Sequence, residues 1–282
     1  MHADGRLNVS MRVPATIAAF LFGLAAWDHP AAAQTAETVD HTALRVCADA
    51  NNLPFSNDKG EGFENKIAEL LAADLGIPVH YTWFPDTVGF IRNTLSARKC
   101  DLIIGTVAGN NLVQNTNPYY RSSYAFIYRQ DVHPVTSIDD PALQADSIGI
   151  VAGTPPATLL AQRGLLANLR SYQLLVDTRF NSPARDLCHD VATGAIDVGI
   201  LWGPIAGYFA KQEAPPLVVA PLKAQQGPMQ LDFRITMGMR PNEPEWKRTI
   251  NTLIRKNQKE IDKILLDYGV PLLDEKGQPL TQ

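Results

Sequence analysis

The segment LRVCADANNLPFSNDKGEGFENKIAELLAADLG, residues 44–76, contains a strand, a polar loop and an amphipathic helix in that order. Residues 44–48 form a short apolar run that predicts a β-strand, and residues 49–62 are rich in Asn, Asp, Gly and Pro, which favour turns. Apolar residues then recur at helical spacing up to the stop signal Gly76; they are Phe63, Ile67, Leu70, Leu71 and Leu75. This order predicts the first unit of an α/β fold.

The same alternation continues along the chain. It predicts strands at residues 79–84, 101–106 and 124–128, with a helix around Val88, Ile91 and Leu95. After a linker at residues 129–134, further strands are predicted at residues 147–151, 172–176, 197–201, 217–220 and 233–238, with helices at residues 153–163, 182–194 and 243–267. We therefore predict two α/β lobes, each a mainly parallel sheet flanked by helices, with a ligand cleft between them.

We expect lobe 2 to be inserted into lobe 1 along the chain. Residues 34–130 form the first part of lobe 1, residues 131–224 form lobe 2, and residues 225–282 return to lobe 1 with the C-terminal helix. Ligand sites in such sheets lie beyond the carboxyl ends of the strands, so the expected site lies between the lobes.

The N-terminus has the pattern of a cleavable export signal. Arg6 and Arg12 come before the apolar run at residues 13–27, and small residues at 31–33 precede Gln34. The alternative is a membrane anchor, but the run is shorter than the roughly 20 residues that a spanning helix needs, and Pro14 lies inside it. We predict a signal peptide at residues 1–33 and an exported protein without stable membrane insertion.

Composition and charge exclude several classes of protein. With 45% hydrophobic residues, 19% charged residues and 20 prolines spread over 282 residues, the chain has the composition of an ordinary globular protein. Its 25 Lys and Arg residues against 29 Asp and Glu residues give a net charge of -4, which does not attract nucleic acid or an anionic membrane. We expect no nucleic-acid partner.

The three cysteines predict one disulfide and one free thiol in an exported chain; they are Cys47, Cys100 and Cys188. No two of them lie within a short loop of each other, which excludes a zinc knuckle, and we expect no metal site. Parallel strands joined by a crossover are often neighbours, which favours a bridge between Cys47 in the first strand and Cys100 just before residues 101–106. The fold decides between this pairing and the alternatives.

Four segments carry a resemblance to a known family: RVCADANNLPFS (45–56), GEGFENKIAELLAADLG (60–76), LSARKCDLIIGT (95–106) and PYY (118–120). They resemble the type II periplasmic solute-binding proteins, in particular those of amino-acid ABC transporters. The resemblance covers nearly all of the chain after residue 33 and implies the two-lobed fold of that superfamily.

A second set of segments indicates one branch of that fold: NNLPFSN, GEGFENKIAELLA, FIRNTL, CDLIIG, PYYRSSY, DVGILWGPIAGYFA and LLDYGVPLL. They resemble the binding-protein-like J components encoded with quinoprotein methanol dehydrogenases. The resemblance implies a periplasmic accessory protein, not an enzyme, that is needed for an active PQQ-dependent methanol dehydrogenase of the calcium or the lanthanide type. The expected partner is the large subunit of that dehydrogenase, and no cofactor is expected in the chain itself.

Relatives that bind amino acids use a charged clamp, an arginine for the carboxylate and an acid for the ammonium group. The arginine would follow the strand at residues 101–106, where residues 108–112 read AGNNL, and the acid would follow residues 197–201, where residues 202–204 read WGP. Both charged groups are missing. A zwitterion buried without them would lose hydration at a cost of several kcal/mol, so an amino-acid ligand is disfavoured.

The candidate residues for contact with a small ligand or a partner lie on loops and strand ends that face the expected cleft. They are Asp49, Asn52, Phe55, Glu64, Thr106, Asn110, Arg121, Thr154 and Trp202. For Asp49, Asn52 and Phe55 the alternative is turn formation alone. For Glu64 the alternative is a favourable interaction with the helix dipole in the first turn of a helix.

Three further candidates have equally plain alternatives. Thr154 precedes a helix whose free N–H groups could hold an anion or a carbonyl, but the same pattern starts helices that bind nothing. Trp202 is a residue type enriched in interfaces, or it packs in the core. Arg121 lies among tyrosines, a composition typical of interfaces, or it packs beside the turn at Pro118.

Three functions remain in consideration. The first is the accessory protein described above, which acts by protein contact through its cleft or lobe surface. The second is the solute-binding component of an ABC importer for a small ligand that is not an amino acid. The third is a periplasmic lyase or dehydratase, which needs a general acid, and Asp49 and Glu64 are the candidates for that role. The missing clamp and the resemblance to J components favour the first.

Overall fold

The strand and the helix of residues 44–76 form as predicted. Strand β1 is Leu44–Ala48 and helix α1 is Phe63–Leu75 in the computed structural model, which describes residues 38–174, 176–222, 225–226 and 229–280. Gly76 ends α1 in the left-handed conformation with φ 68°, where its N–H bonds to carbonyls of the last turn. The predicted signal peptide lies outside the described residues.

The other regular elements follow in chain order. The strands are β2 (Val79–Trp83), β3 (Ile103–Val107), β4 (Tyr120–Tyr128), β5 (Ile148–Val151), β6 (Leu169–Tyr172), β7 (Val198–Trp202), β8 (Val218–Pro221) and β9 (Asp232–Met239). The helices are α2 (Phe90–Asn93), α3 (Pro155–Gln162), α4 (Pro183–Ala192), α5 (Gly203–Gln212) and α6 (Pro244–Asp267). Two-residue strands occur at Asn51–Asn52, Ser56–Asn57, Gln114–Asn115, Gln225–Gln226 and Met229–Gln230, and 3-10 helices at Pro141–Gln144 and Leu165–Asn168.

Strands that are connected by an α-helix run parallel to each other. The two long strands, β4 and β9, run in the opposite direction to the strands beside them. β1 pairs in parallel with β2 and, through a bridge between Val46 and Leu102, with the start of the β3 segment. In the main sheet the order is β3-β9-β4-β7-β5-β6, and β8 also pairs with β4. β5, β6 and β7 are parallel, whereas β4 and β9 are antiparallel to their neighbours. The result is a mixed α/β architecture that includes the predicted parallel units.

Separate apolar clusters hold the two ends of this sheet. The first cluster joins α1 and β1 to the C-terminal helix α6, with Phe63, Ile67, Ile250 and Leu253 among its buried side chains. Two further clusters cover the opposite faces of the strands β5 and β7. Within the described ranges, no helix is both long enough and apolar enough to cross a membrane. The lobe boundaries stay a prediction.

Two predicted elements differ from the observed ones. The helix expected around Val88 is only the four-residue α2, because Val88 is 91% exposed and Phe90 instead packs beside Cys47 and Cys100. The strand expected at residues 172–176 is wrong, since β6 ends at Tyr172, where its pairing with β5 stops, and Leu174 is 56% exposed.

Helix α5 was not predicted from the sequence. It begins at Gly203 and contains Gly207, both of which are poor helix formers. The structure explains Gly207, because a Cβ atom there would lie 1.8 Å from the carbonyl oxygen of Gly269. The backbones of residues 207 and 269 lie so close together that only glycine fits at position 207. The same glycine lowers the helix propensity of the segment, and for this reason the sequence did not predict the helix.

Candidate functional site

Two adjoining cavities lie at the strand ends. Cavity A has a volume of about 340 Å³, and its walls include Asp49, Asn52, Phe55, Glu64, Asp86, Gly105, Thr106, Tyr120, Tyr124, Trp202 and Phe233. Cavity B has a volume of about 390 Å³, and its walls include Asn52, Lys59, Tyr124, Thr154, Leu174, Arg185 and Trp202. Asn52, Tyr124 and Trp202 line both cavities, so the two spaces meet at these side chains.

The fold explains why these residues converge. Asp49 follows the carboxyl end of β1, Thr106 lies near the end of β3, and Trp202 ends β7. The antiparallel strands add Tyr124 from β4 and Phe233 from β9. The carboxyl ends of parallel strands are the usual place for a binding site in α/β sheets.

Asp49 uses its carboxylate to organise the loops around cavity A. Its Oδ1 accepts a hydrogen bond of 2.9 Å from the N–H of Asn51, and its Oδ2 accepts one of 2.8 Å from the N–H of Asp86. Its backbone also exchanges hydrogen bonds with the hydroxyl of Ser56, at 3.2 Å and 2.8 Å. The turn chemistry considered as the alternative for Asp49 is therefore present in the structure.

Glu64 differs from Asp49, because its carboxyl has no hydrogen-bond partner among the described residues. It lies over the backbone of Gly105, where a Cβ atom would be 2.1 Å from Oε1 of Glu64. Burial, and next the negative charge of Asp86, raise the pKa of Glu64 from 4.5 to about 8. The carboxyl is therefore mostly protonated at neutral pH.

Three aromatic side chains form one wall of cavity A, which we call the ring wall: Tyr124, Trp202 and Phe233. The ring centroids of Tyr124 and Trp202 are 5.6 Å apart, and those of Trp202 and Phe233 are 5.8 Å apart, both at 68°. These are edge-to-face contacts of the kind that stabilises aromatic clusters. Burial raises the pKa of Tyr124 to about 12, which keeps its hydroxyl protonated.

Thr106 and Thr154 use their hydroxyl groups inside the fold. The Thr106 hydroxyl lies 3.3 Å from that of Thr236 and 3.4 Å from Oδ1 of Asn115. Thr154 precedes α3 and donates a hydrogen bond of 2.7 Å to the carbonyl of Val151. Both side chains line a cavity, yet their polar atoms already have partners.

Two predicted site residues lie away from both cavities. Asn110 forms a turn after β3, where its side chain accepts a hydrogen bond of 3.0 Å from the N–H of Leu112. Arg121 forms an ion pair with Asp232 on the neighbouring strand and donates a hydrogen bond of 2.7 Å to the carbonyl of Glu275. Arg121 therefore joins β4, β9 and the C-terminal segment and lines neither cavity, and its predicted role in partner contact stays a prediction.

Seven of the nine predicted residues line the cavities, and their role in binding stays a prediction. The sequence interpretation missed Asp86, Gly105 and Phe233. Asp86 follows a predicted strand, the same signal that identified Asp49, and could have been found. Nothing in the local sequence marks Gly105 or Phe233, because their roles depend on segments far away in the chain.

The structure joins Cys47 and Cys100 in a disulfide with their Cα atoms 5.5 Å apart. The N–H of Cys47 also bonds to the carbonyl of Leu102 at 2.9 Å, so β1 and the segment entering β3 lie side by side. Cys47 lines cavity A, and the disulfide therefore supports its floor. Cys188 is a free, buried thiol on α4, and burial raises its pKa.

The charged clamp of amino-acid-binding relatives has no counterpart in cavity A. Its described wall contains the carboxyl groups of Asp49, Glu64 and Asp86 and no Lys, Arg or His. No group of three or more His, Cys, Asp or Glu in the described ranges is arranged to hold a metal ion. A bound carboxylate would meet three acidic groups and no positive side chain there.

Known proteins similar to this chain agree with its architecture. The protein MoxJ of Methylorubrum extorquens is 32% identical over 295 residues, which cover 96% of this chain and 97% of that protein. The crystal structure of the periplasmic binding protein XoxJ from Methylobacterium extorquens AM1 is 43% identical, with a TM-score of 0.70 over 82% of this chain and 100% of that one. The crystal structure of MxaJ from Methlophaga aminisulfidivorans MPT is 26% identical, with a TM-score of 0.71 and the same coverage.

A family model gives the assignment. The model of the bacterial extracellular solute-binding proteins, family 3, matches residues 44–270, which include every predicted site residue. Together with the type II periplasmic binding protein architecture and the similarity to MoxJ, XoxJ and MxaJ, this match means that the chain belongs to family 3 of the bacterial extracellular solute-binding proteins.

Proposed function

We propose that the chain is a non-catalytic accessory protein that helps to activate or mature a PQQ-dependent methanol dehydrogenase. The observation that carries the proposal is the similarity to MoxJ over almost the whole chain. The location would be the periplasm, after cleavage of the signal peptide at residues 1–33. The partner would be the large subunit of the dehydrogenase, which the chain would contact through its cleft or lobe surface.

The surface around the cavities supports action by protein contact. A third cavity, of about 510 Å³, lies between residues 83–87 and residues 176–179. Large apolar side chains near this opening are exposed: Trp83 at 37%, Val88 at 91%, Leu174 at 56% and Phe180 at 79%. Exposed apolar groups at the mouth of a cleft are typical of sites where another protein binds.

The proposed mechanism is stabilisation of one state of the dehydrogenase. An apolar segment of the apo-enzyme would occupy the opening while PQQ and its metal enter the enzyme. The accessory protein must then bind the apo-enzyme more tightly than the loaded enzyme, because only a difference in affinity shifts the equilibrium between them. No chemistry by this chain is required.

A second function, an importer component for a small ligand, has one observation in its favour. The volume of cavity A lies within the roughly 300–1,000 Å³ that small-ligand sites occupy. The lyase alternative has less support. Glu64 has the raised pKa of a general acid, but substrates of prephenate type carry carboxylates, which the acidic wall of cavity A would repel.

A pull-down from periplasmic extract of methanol-grown cells tests the proposal. The tagged, signal-processed protein should enrich the large subunit of the dehydrogenase. Val88→Ser with Phe180→Ser should reduce this enrichment, and Leu166→Ser, at an exposed residue outside the three cavities, should not. Absence of the large subunit, or fully active and cofactor-loaded dehydrogenase in a gene-deletion strain, would contradict the proposed function.

A further inference from the structure

Cavity A has an unusual balance of charge for a binding site. Three carboxyl groups face it: the buried Asp49, the half-buried Glu64 and, on the exposed loop after β2, Asp86. No basic side chain lines its described wall. Glu64 is mostly protonated at neutral pH, so the negative charge of this wall comes from Asp49 and Asp86. A bound cation would be stabilised by these charges and would favour release of the Glu64 proton, whereas a bound anion would be repelled.

The remaining walls are suited to a cation with an organic body. Besides the ring wall of Tyr124, Trp202 and Phe233, the rings of Phe55 and Tyr120 line the same space. Aromatic faces attract ammonium and guanidinium groups and bury the methylene groups attached to them. A small hydrated metal ion would gain little from such a surface.

Tyr120 gives an independent indication of a missing partner. It is only 7% exposed, yet its hydroxyl has no hydrogen-bond partner among the described residues. Burial, and next the nearby Glu64 carboxyl, raise the pKa of Tyr120 well above its ordinary value, so this hydroxyl stays protonated. Glu64 likewise has no hydrogen-bond partner in the described part of the chain, and both side chains line cavity A, where a ligand can supply a partner to each.

We propose that cavity A binds an organic cation, an ammonium or guanidinium group whose N–H donors reach Glu64 and Tyr120 while its body packs on the ring wall. A neutral apolar ligand would leave both oxygens without partners, and an anion would add to the negative charge. The same chemistry occurs in a free alkylamine and in a Lys or Arg side chain of a partner protein. The proposal goes beyond the proposed function, because it concerns the ligand class of the cavity alone.

Isothermal titration calorimetry on the purified, signal-processed protein in amine-free buffer tests the proposal. Butylammonium should bind at least about tenfold more tightly than 1-butanol, which has the same carbon chain without the charge. N-acetyl-lysine methylamide is compared with N-acetyl-norleucine methylamide in the same way. Stronger binding of butylammonium than of the lysine derivative indicates a free amine, and the reverse order indicates a side chain of a protein.

Variants identify the cavity. Glu64→Gln, which keeps the size of the side chain, and Trp202→Leu should each weaken binding of the cation about tenfold or more. Tyr208→Leu, at an aromatic residue outside all three cavities, should leave the affinity unchanged. If circular dichroism shows that Trp202→Leu unfolds the protein, Glu64→Gln alone tests whether the cation binds in cavity A.

The proposal is overturned if neither cation binds, if the neutral probes bind as tightly as the charged ones, or if Glu64→Gln binds as the unmodified protein does. Because no dehydrogenase is present, these outcomes are separate from those of the pull-down. If the protein binds cations but does not enrich the dehydrogenase, the cation site is supported and the proposed function is contradicted.

Discussion

Replacing Glu64 by Gln should make the protein more stable at alkaline pH. The folded protein keeps a proton on Glu64 up to about pH 8, whereas the unfolded chain loses it near 4.5. Between these values the folded state binds one proton more, so the free energy of unfolding of the unmodified protein falls as the pH rises. Gln cannot titrate and resembles the protonated acid in shape, so this fall disappears in the variant.

The size of the effect follows from the change in pKa. A rise from 4.5 to about 8 corresponds to about 5 kcal/mol when the full change is lost. Glu64 lines an open cavity that water can enter, so we expect roughly half of this, about 2–3 kcal/mol, at pH 9 and almost no difference at pH 5. The titratable groups near Glu64 are Asp86, Tyr81, Tyr119 and Tyr120, with Asp49 on the same cavity wall, and all of them are present in both proteins.

Urea unfolding of both proteins, followed by tryptophan fluorescence across this pH range, measures the difference. Glu69→Gln is the matched control, because Glu69 lies on the same helix but is exposed and pairs with Lys66. It should not change the pH dependence in this window. Equal pH dependence of the unmodified protein and Glu64→Gln, or a less stable variant at pH 9, would show that the carboxyl is hydrated and that our account of its burial is wrong.

Two further predictions concern the walls of cavity A. Gly105→Ala would place a Cβ atom 2.1 Å from the Glu64 carboxyl, so we expect the free energy of unfolding to fall by about 1–3 kcal/mol. The same urea titration measures this loss, and unchanged stability would mean that the carboxyl moves aside freely. Replacing Cys47 and Cys100 together by Ala opens a loop with a sequence separation of 53 and should cost about 4 kcal/mol, and a midpoint in guanidinium chloride equal to that of the parent would refute this.

Much of the first half of the fold could be predicted, because its signals are local. Helical spacing from Phe63 to Leu75 and the glycine at 76 define α1, and the strand and loop before it depend on residue types within a few positions. Predictions failed where the deciding contact was distant. Leu174 has the apolar character of a strand residue, but the pairing with β5 ends at Tyr172 and leaves it exposed.

Arg121 shows the same limit for the site. Its tyrosine-rich neighbourhood is typical of a binding surface, and the sequence contains no sign of its ion pair with Asp232, which lies 111 positions later. The partner of a charged side chain is chosen by strand order and register, here the pairing of β4 with β9. Neither can be deduced from residues near Arg121.

The sequence by itself determined the alternation of strands and helices, the absence of the charged clamp, and the position of Asp49 at a strand end. Each of these depends on residue type and spacing within a short segment. Only the tertiary structure decided that Glu64, Tyr120 and the ring wall share one cavity, whose described wall has no basic side chain. Burial, and with it the pKa of Glu64, is a property of all the segments that surround a group, and so it follows from the packed chain as a whole.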